Sequence, residues 1–143
     1  SINIILIRYA EILLTYAEAK IELNQIDQSV YDAINAVRGR LDVNLPPIET
    51  GKTQAQLREI VRHERMVELA FEGHRLFDLR RWKTAEIEIP GYVEGMTYKN
   101  SGGNYITIRI DGFLKVFEQK HYLWPIPKKE IDLNPNLGQN SGW

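Results

Sequence analysis

Residues 62–83 read RHERMVELAFEGHRLFDLRRWK, a mixture of arginines, acids and aromatic residues that is too dense for an ordinary solvent-facing helix. Between Thr53 and Lys83 there are six arginines and one lysine. Arginine is favoured over lysine where a planar, two-pronged group must pair with carboxylates in partly dry surroundings. The stretch therefore predicts a fixed network of salt bridges and stacked rings.

The length and charge of the chain set its broad class. Its 143 residues suit one domain with a modest core, and the net charge of −1 gives no electrostatic basis for binding nucleic acid. It contains no cysteine, which excludes disulfides and thiolate metal sites. The chain starts at Ser1 inside an apolar run that lacks the features of a signal peptide. We therefore expect it to be part of a longer protein.

The first half of the chain predicts helices. Residues 4–23 are apolar on most sides, which predicts a helix buried on most sides, with a stop at Asn24. A second helix is predicted at about Val30–Arg38, capped by Asp27 or Ser29 and followed by a left-handed Gly39. These two resemble one helical pair of a tetratricopeptide repeat, and such pairs need neighbouring helices to bury their faces.

Two further helices are predicted before residue 84. The third begins with a capping box of Thr53 and Gln56 and runs to about Phe71 or Glu72, with Gly73 as a kink or stop. Its predicted apolar set is Leu57, Ile60, Val61, Val67, Ala70 and Phe71. A short fourth helix, Arg75 to Lys83, should place Leu76, Phe77, Leu79 and Trp82 inward.

Residues beyond 84 predict strands and loops. Tyr105 to Ile110 alternates and is rich in β-branched residues, so it predicts a strand, and Asp111-Gly112 predicts a hairpin turn into residues 113–117. The proline-containing tail predicts an extended segment. The predicted fold is mainly α, with a helical core at 1–83, a variable loop and hairpin insertion at 84–120, and an extended, loop-rich tail at 121–143.

Several motifs, in order along the chain, resemble the carboxy-terminal part of the SusD/RagB family. They are LIRYAEILL (6–14), YAEA (16–19), INAVR (34–38), RHER (62–65), EGHR (72–75), DLRRW (78–82), HYLWPIP (121–127) and EIDLNPNL (130–137), followed by Gln139-Asn140. The motifs leave residues 84–120 uncovered.

The resemblance implies a lipoprotein on the outer-membrane surface that captures oligosaccharides or other polymers. It implies delivery to a TonB-dependent transporter, binding without cleavage, no cofactor, and a helical fold built on tetratricopeptide-like pairs. The lipid-bearing cysteine and the amino-terminal portion of the family do not occur in this sequence. We therefore expect this chain to act mainly as a scaffold, and the missing amino-terminal part to be one of its partners.

The third predicted helix carries an acidic ladder of Glu64, Glu68 and Glu72, whose like charges are stacked at i, i+4 spacing. The ladder could hold a metal or supply an acid and a base. A dimetal bundle site would require two Glu-x-x-His pairs, and only Glu118 and His121 have that spacing. We expect arginines to neutralise it instead. The predicted partners are Arg62, Arg65, Arg75, Arg80 and Arg81. No catalytic or metal-binding residue is predicted.

Glycan contacts require exposed aromatic faces with amide groups around them. The candidates are Tyr92, Tyr98, Tyr105, Asn100 and Asn104, which all lie in the loop-rich region. For any one of these tyrosines, an ordinary half-buried loop position is the competing interpretation. Two other functions stay open: a tetratricopeptide-type adaptor for another protein, and a glycan-active hydrolase, which needs two carboxylates facing each other across a cleft.

Overall fold

The computed structural model describes residues 6–41 and 43–143, apart from the side chains of residues 109, 111 and 112. The chain forms two compact units, Ser1–Arg75 and Leu76–Trp143, which we call the first and second units. The elements are α1 (Tyr9–Glu22), α2 (Gln28–Arg38), α3 (Gln54–Glu68), α4 (Arg75–Arg81), α5 (Ala85–Glu88), β1 (Gly91–Lys99), β2 (Tyr105–Lys115), a 3₁₀ turn (Gln119–Tyr122) and α6 (Lys128–Leu133). The predicted mainly helical fold with a hairpin and a loop-rich tail is confirmed. The predicted boundaries at residues 83 and 120 stay a prediction.

The first unit is built on the predicted helical pair. Helix α1 packs against both α2 and α3. Its buried face presents small and branched residues in alternation, so the backbones can approach closely. The buried core of this unit consists of Ala10, Leu14, Ala17, Ile21, Val30, Tyr31, Ala33, Ile34, Val37, Leu57 and Val61. The opposite face of α1 is exposed at Tyr9, Ile12 and Tyr16. The predicted burial on most sides is therefore not met by the described residues.

Local capping sets several helix boundaries of the first unit. Asn24 has a left-handed backbone (φ 54°) just beyond α1, and the Asp27 carboxylate accepts a hydrogen bond from the Ser29 N–H at 3.0 Å to start α2. Thr53 and Gln56 form the predicted capping box. The prediction for Gly39 is wrong: its φ is −85°, and its N–H donates to the Asn35 carbonyl. The left-handed turn follows at Asn44, whose N–H donates to the Arg40 carbonyl.

Two predicted helices are too long. Helix α1 begins at Tyr9 because Arg8 is extended, while residues 4 and 5 of the prediction lie outside the described residues. Helix α3 ends at Glu68, since the chain then turns through left-handed positions at Phe71 (φ 65°) and Gly73 (φ 82°). This turn leaves Phe71 fully exposed.

The inward faces predicted for α3 and α4 are also partly wrong. Val67 and Ala70 of the predicted α3 set are exposed, whereas Leu69 is buried. In α4, Asp78 and Leu79 are buried, while Leu76 and Phe77 are exposed. Ala70 and Phe71 were misplaced because the helical rhythm was continued through residues 69–73, where the backbone is no longer helical.

The second unit contains the hairpin and a small apolar cluster. Strands β1 and β2 pair antiparallel, and the turn lies at residues 100–104, where Asn100 N–H donates to the Asn104 carbonyl at 2.9 Å. The predicted turn at Asp111-Gly112 is wrong, because β2 runs without a break from Tyr105 to Lys115. Beside the hairpin, Leu79, Ala85 and Tyr122 form a buried cluster.

The tail is held by side chains that bond to its backbone. The Trp143 indole N–H donates to the carbonyls of Lys120 and Leu123 at 3.1 and 3.2 Å. Gln139 bonds both the N–H and the carbonyl of Ile126. Helix α6 was not predicted, since the prolines indicated extended chain. A proline at the cap, here Pro127, does not break a helix, because first-turn N–H groups have no intrahelical partner.

Candidate functional site

The predicted glycan contacts lie along the hairpin and its turn. The Asn100 side-chain oxygen accepts the Asn104 N–H at 3.0 Å, and Gly103 supplies the left-handed residue of the turn (φ 83°). Asn100 therefore has a structural task in closing the turn. Asn104 lies exposed at the tip, directly before β2.

The strand register separates the predicted tyrosines. Tyr98 is paired with Ile106, whereas Tyr105 is paired with Lys99. Because neighbouring residues of a strand point to opposite faces, Tyr98 and Tyr105 lie on opposite sides of the hairpin. Tyr105 is 77% exposed and Tyr98 is 40% exposed. Tyr92 pairs with Leu114, at the other end of the hairpin and beyond two irregularities in the register. The five predicted residues therefore do not form one surface.

Each face of the hairpin has its own chemistry. On the side of Tyr105, the Thr97 and Thr107 hydroxyls are 2.7 Å apart and the Lys99 ammonium lies 5.9 Å from the centre of the Tyr105 ring. We call the residues of this side the polar face: Glu94, Thr97, Lys99, Tyr105 and Thr107. By the register and alternation of β2, the other side holds the residues that we call the apolar face: Val93, Tyr98, Ile106, Ile108 and Ile110.

A bulge in β1 preserves the separation between the polar face and the apolar face along the hairpin. Residues 94–97 of β1 lie opposite residues 107–109 of β2, so β1 holds one extra residue there. Gly95 lies in this bulge, and a Cβ added to it would stand 3.1 Å from the Ile108 carbonyl oxygen. A larger residue at position 95 would press on the backbone of β2. Glycine at this position therefore lets the two strands approach without a shift of the β2 backbone.

In the first unit, arginines from outside the stretch 62–83 neutralise the acidic ladder. Arg8 donates to the Glu68 carboxylate at 2.7 Å and to the Glu72 carboxylate at 2.6 to 3.1 Å. Two guanidinium nitrogens of Arg40 donate to the Glu68 carboxylate, at 2.6 and 2.9 Å. Arg38 pairs with Glu64. We call these six residues the arginine–glutamate cluster. The sequence reasoning missed all three arginines, although the ladder itself signalled that cations were needed.

The arginines that were predicted for the ladder have other contacts. Arg62 lies 3.9 Å from Glu22, and Arg65 donates to the Thr15 hydroxyl at 3.0 Å and lies 3.7 Å from Glu18. Arg81 pairs with Asp78 at 2.9 Å. The Arg80 guanidinium donates to the His121 carbonyl and stacks 4.4 Å from the centre of the Trp124 ring. These contacts differ from the predicted ones, and most of them join segments that are far apart in sequence.

Arg8 also completes the end of α3. Its guanidinium donates to the backbone carbonyl of Glu68, the last residue of the helix, at 2.7 Å. The last carbonyls of a helix have no intrahelical partner and carry partial negative charge, so a cation is favoured there. The hydrogen bonds to Glu72 and Glu68 raise the pKa of Arg8, and the bond from Arg8 lowers the pKa of Glu72. Arg8 and Glu72 therefore stabilise each other in their charged forms.

A cavity of about 520 Å³ opens beside the cluster in the first unit. It is lined by Arg38, Pro46, Pro47, Ile48, Glu49, Lys52, Glu59, Ile60, His63 and Glu64. Glu64 is the ladder residue here, and its carboxylate is already held by Arg38. In the described part of the chain, no group of three histidine or acidic side chains is arranged to hold a metal.

The second unit has a smaller aromatic pocket of about 220 Å³. Its lining is Leu76, Arg80, Val116, Phe117, His121, Trp124 and Trp143. Trp124 is 69% exposed, and the sequence reasoning did not name it as a contact. The Arg80 guanidinium covers part of one face of its indole. Its place in the pattern HYLWPIP was the available signal, but that pattern by itself does not distinguish packing from binding.

Of the helices formed by residues 6–41 and 43–143, none has the length and apolarity to cross a membrane.

Comparison with known proteins assigns the chain to a family. The model of the SusD family matches residues 1–143, so the match also includes the region that the motifs left uncovered, and the chain belongs to this family. SusD-like protein P2 of Formosa agariphila is 33% identical over 147 residues, covering 99% of this chain and 26% of the relative. SusD-like protein P38 of the same species is 29% identical over 144 residues, covering 96% and 24%.

Solved structures of SusD-like proteins also match nearly the whole of this chain. A SusD-like protein from Bacteroides fragilis superposes with a TM-score of 0.80 at 34% identity, covering 97% of this chain and 26% of that one. A SusD-like carbohydrate binding protein from Bacteroides vulgatus gives a TM-score of 0.60 at 26% identity, covering 94% and 29%. The chain spans about a quarter of the length of these relatives.

Proposed function

We propose that this protein binds an oligosaccharide or another polymeric nutrient at the cell surface, for uptake through a TonB-dependent outer-membrane transporter. The main support is the match of the SusD family model to all 143 residues. A matched relative from Bacteroides vulgatus is described as a carbohydrate binding protein. The motifs shared with the family supply the proposed location, an outer-membrane surface to which a lipid on an amino-terminal region anchors the protein.

The role proposed for this chain is mainly that of a scaffold. The arginine–glutamate cluster joins the start of α1, the segment after α2 and the end of α3. An arginine that donates two parallel hydrogen bonds to a carboxylate fixes the relative orientation of the two groups, because the paired bonds resist rotation. A platform of this kind would keep attached loops in place while a ligand binds.

The exposed face of α1 is proposed as the contact with the amino-terminal part of the same protein. Tyr9, Ile12 and Tyr16 recur at helical spacing and are each about half exposed or more. A helix with apolar residues on two sides is normally buried on two sides. The relatives are about four times as long as this chain, which leaves ample polypeptide to cover this face.

Binding without catalysis is the proposed chemistry. A hydrolase needs one carboxyl group to deliver a proton and a second, facing carboxylate. Glu64, Glu68 and Glu72 each accept hydrogen bonds from arginine, so each carboxylate already has a structural partner. Their arrangement favours a structural use over acid–base work. The adaptor alternative would require a groove of several repeats, and the described residues include one such pair.

The test uses the full-length protein in native gels that contain starch, xylan, laminarin, pectin or alginate. We expect at least one polysaccharide to retard it relative to a non-binding reference protein, with no new reducing ends after incubation. Release of reducing ends would favour the hydrolase instead. Co-purification of an outer-membrane transporter from detergent extracts would support the uptake role, and recovery of soluble proteins alone would favour the adaptor.

A further inference from the structure

We infer that the polar face of the hairpin is a saccharide-binding surface, with Tyr105 as its stacking platform, and that Tyr98 is a packing residue. This rests on the proposed function and narrows it to one side of β1 and β2. It also separates two tyrosines that the sequence alone treats as equivalent.

The two faces of the hairpin differ too strongly to serve the same purpose. The apolar face carries three isoleucines in succession on β2, at positions 106, 108 and 110, each 40 to 48% exposed. A two-stranded hairpin is marginally stable by itself, so a hairpin of this kind requires its apolar side to be covered. The remainder of the full-length protein is the proposed cover. The polar face is then the side that remains in contact with solvent.

The polar face has the groups that a sugar chain requires. A pyranose has a face of C–H bonds, which packs on the electron-rich face of an aromatic ring, and a rim of hydroxyls. Tyr105 supplies a largely exposed ring. The Thr97 and Thr107 hydroxyls are bonded to each other, and since a hydroxyl has one donor and two acceptor positions, the pair can still bond a ligand. The Lys99 ammonium lies over one face of the ring, 5.9 Å from its centre, as a further donor.

The spacing along the strands also fits an extended ligand. The pair Lys99–Tyr105 and the pair Thr97–Thr107 are two residues apart on the same face. At the rise of a strand, this distance is roughly 7 Å. A sugar stacked on Tyr105 would therefore place the next part of the chain over the threonine hydroxyls.

The experiment compares Tyr105→Ala with Tyr98→Ala in the full-length protein. Both changes remove the same atoms from the same hairpin, so they are matched controls. The readout is retardation in native gels containing starch, xylan, laminarin, pectin or alginate, together with the melting temperature. We expect Tyr105→Ala to weaken binding about tenfold or more with an unchanged melting temperature, a loss of about 1.4 kcal/mol or more. We expect Tyr98→Ala to lower the melting temperature and leave the retardation of the folded protein unchanged.

A third variant, Thr107→Val, keeps the β-branched shape while it removes one hydroxyl. We expect it to weaken binding severalfold. Retardation that is unchanged in both Tyr105→Ala and Thr107→Val would overturn the assignment of the polar face while leaving the proposed function intact. Loss of retardation in folded Tyr98→Ala, with Tyr105→Ala unaffected, would reverse the two faces. If none of the five polysaccharides retards the unmodified protein, the proposed function fails and the assignment fails with it.

Discussion

Replacing Glu68 with glutamine should destabilise the first unit far more than the same change at Glu72. Glu68 accepts three hydrogen bonds from two arginines, and its side chain is 11% exposed. Glu72 is 34% exposed and accepts hydrogen bonds from Arg8. The two residues are one helical turn apart in sequence and undergo the same chemical change, which makes them a matched pair.

The expected size of the effect follows from burial. Removing one partner of a fully buried ion pair costs about 3–5 kcal/mol, because the other charge is left without compensation. Here Arg8 and Arg40 are 26% and 35% exposed, so water can reach them in part, and Arg8 keeps Glu72. We therefore expect a loss of about 2 kcal/mol for Glu68→Gln. Glu72→Gln should cost about 0.5 kcal/mol, as for other exposed pairs.

The assay is urea unfolding followed by the helical circular dichroism signal. A lower midpoint with an unchanged slope reports a loss of stability and not a change in the unfolded state. A double-mutant cycle with Arg40→Met should give a coupling of about 1 kcal/mol with Glu68→Gln. Equal losses for Glu68→Gln and Glu72→Gln, or a coupling near zero, would show that the cluster is a set of solvated pairs and would refute the proposed rigid platform.

Three further changes test the first unit. Leu57→Ala, at a fully buried core position, should cost about 2–5 kcal/mol in the same urea assay, and a loss below about 1 kcal/mol would contradict the described packing of α3. Thr53→Ala removes the capping box and should cost about 1 kcal/mol, whereas Thr53→Ser should be nearly neutral. The Lys20 ammonium, 2.5 Å from Asp27, lowers the pKa of Asp27 to about 2, so its contribution is present above pH 4 and is lost as the pH falls toward 2. In a pH series of melting temperatures, Asp27→Asn should reduce the decrease between pH 4 and pH 2, and an unchanged decrease would contradict this assignment.

Features that depend on neighbouring residues were predictable from the sequence. The capping box needs only Thr53 and Gln56, three residues apart, and the stop at Asn24 needs only a residue that tolerates a left-handed backbone. The helical rhythm predicted α1, although the side of α1 that carries Tyr9, Ile12 and Tyr16 is exposed. It also placed Glu64 and Glu68 on one side of α3, which was enough to predict that cations must meet them.

Features that depend on distant residues were not predictable in this way. Arg8 and Glu68 are 60 positions apart, and no spacing rule connects them. The prediction of the hairpin turn was wrong for a related reason. Two segments of the sequence have turn chemistry, residues 100–104 and Asp111-Gly112, and only the pairing with β1 selects between them. The same register separates Tyr98 from Tyr105, so the sequence could propose both tyrosines but could not assign them to faces.

The stretch 62–83 has an unusual density of charge because its glutamates pair with arginines that lie elsewhere in the chain. Glu64 and Glu68 stand one turn apart on α3 and repel each other in an isolated helix. Each becomes favourable only when Arg38 or Arg40, both from the end of α2 and the residues after it, is brought alongside. Arg8 adds the start of α1 to the same point. The glutamates thus destabilise an isolated helix α3, and they stabilise α3 within the assembled first unit. For this reason a ladder of like charges is better evidence of a tertiary contact than of a reactive site.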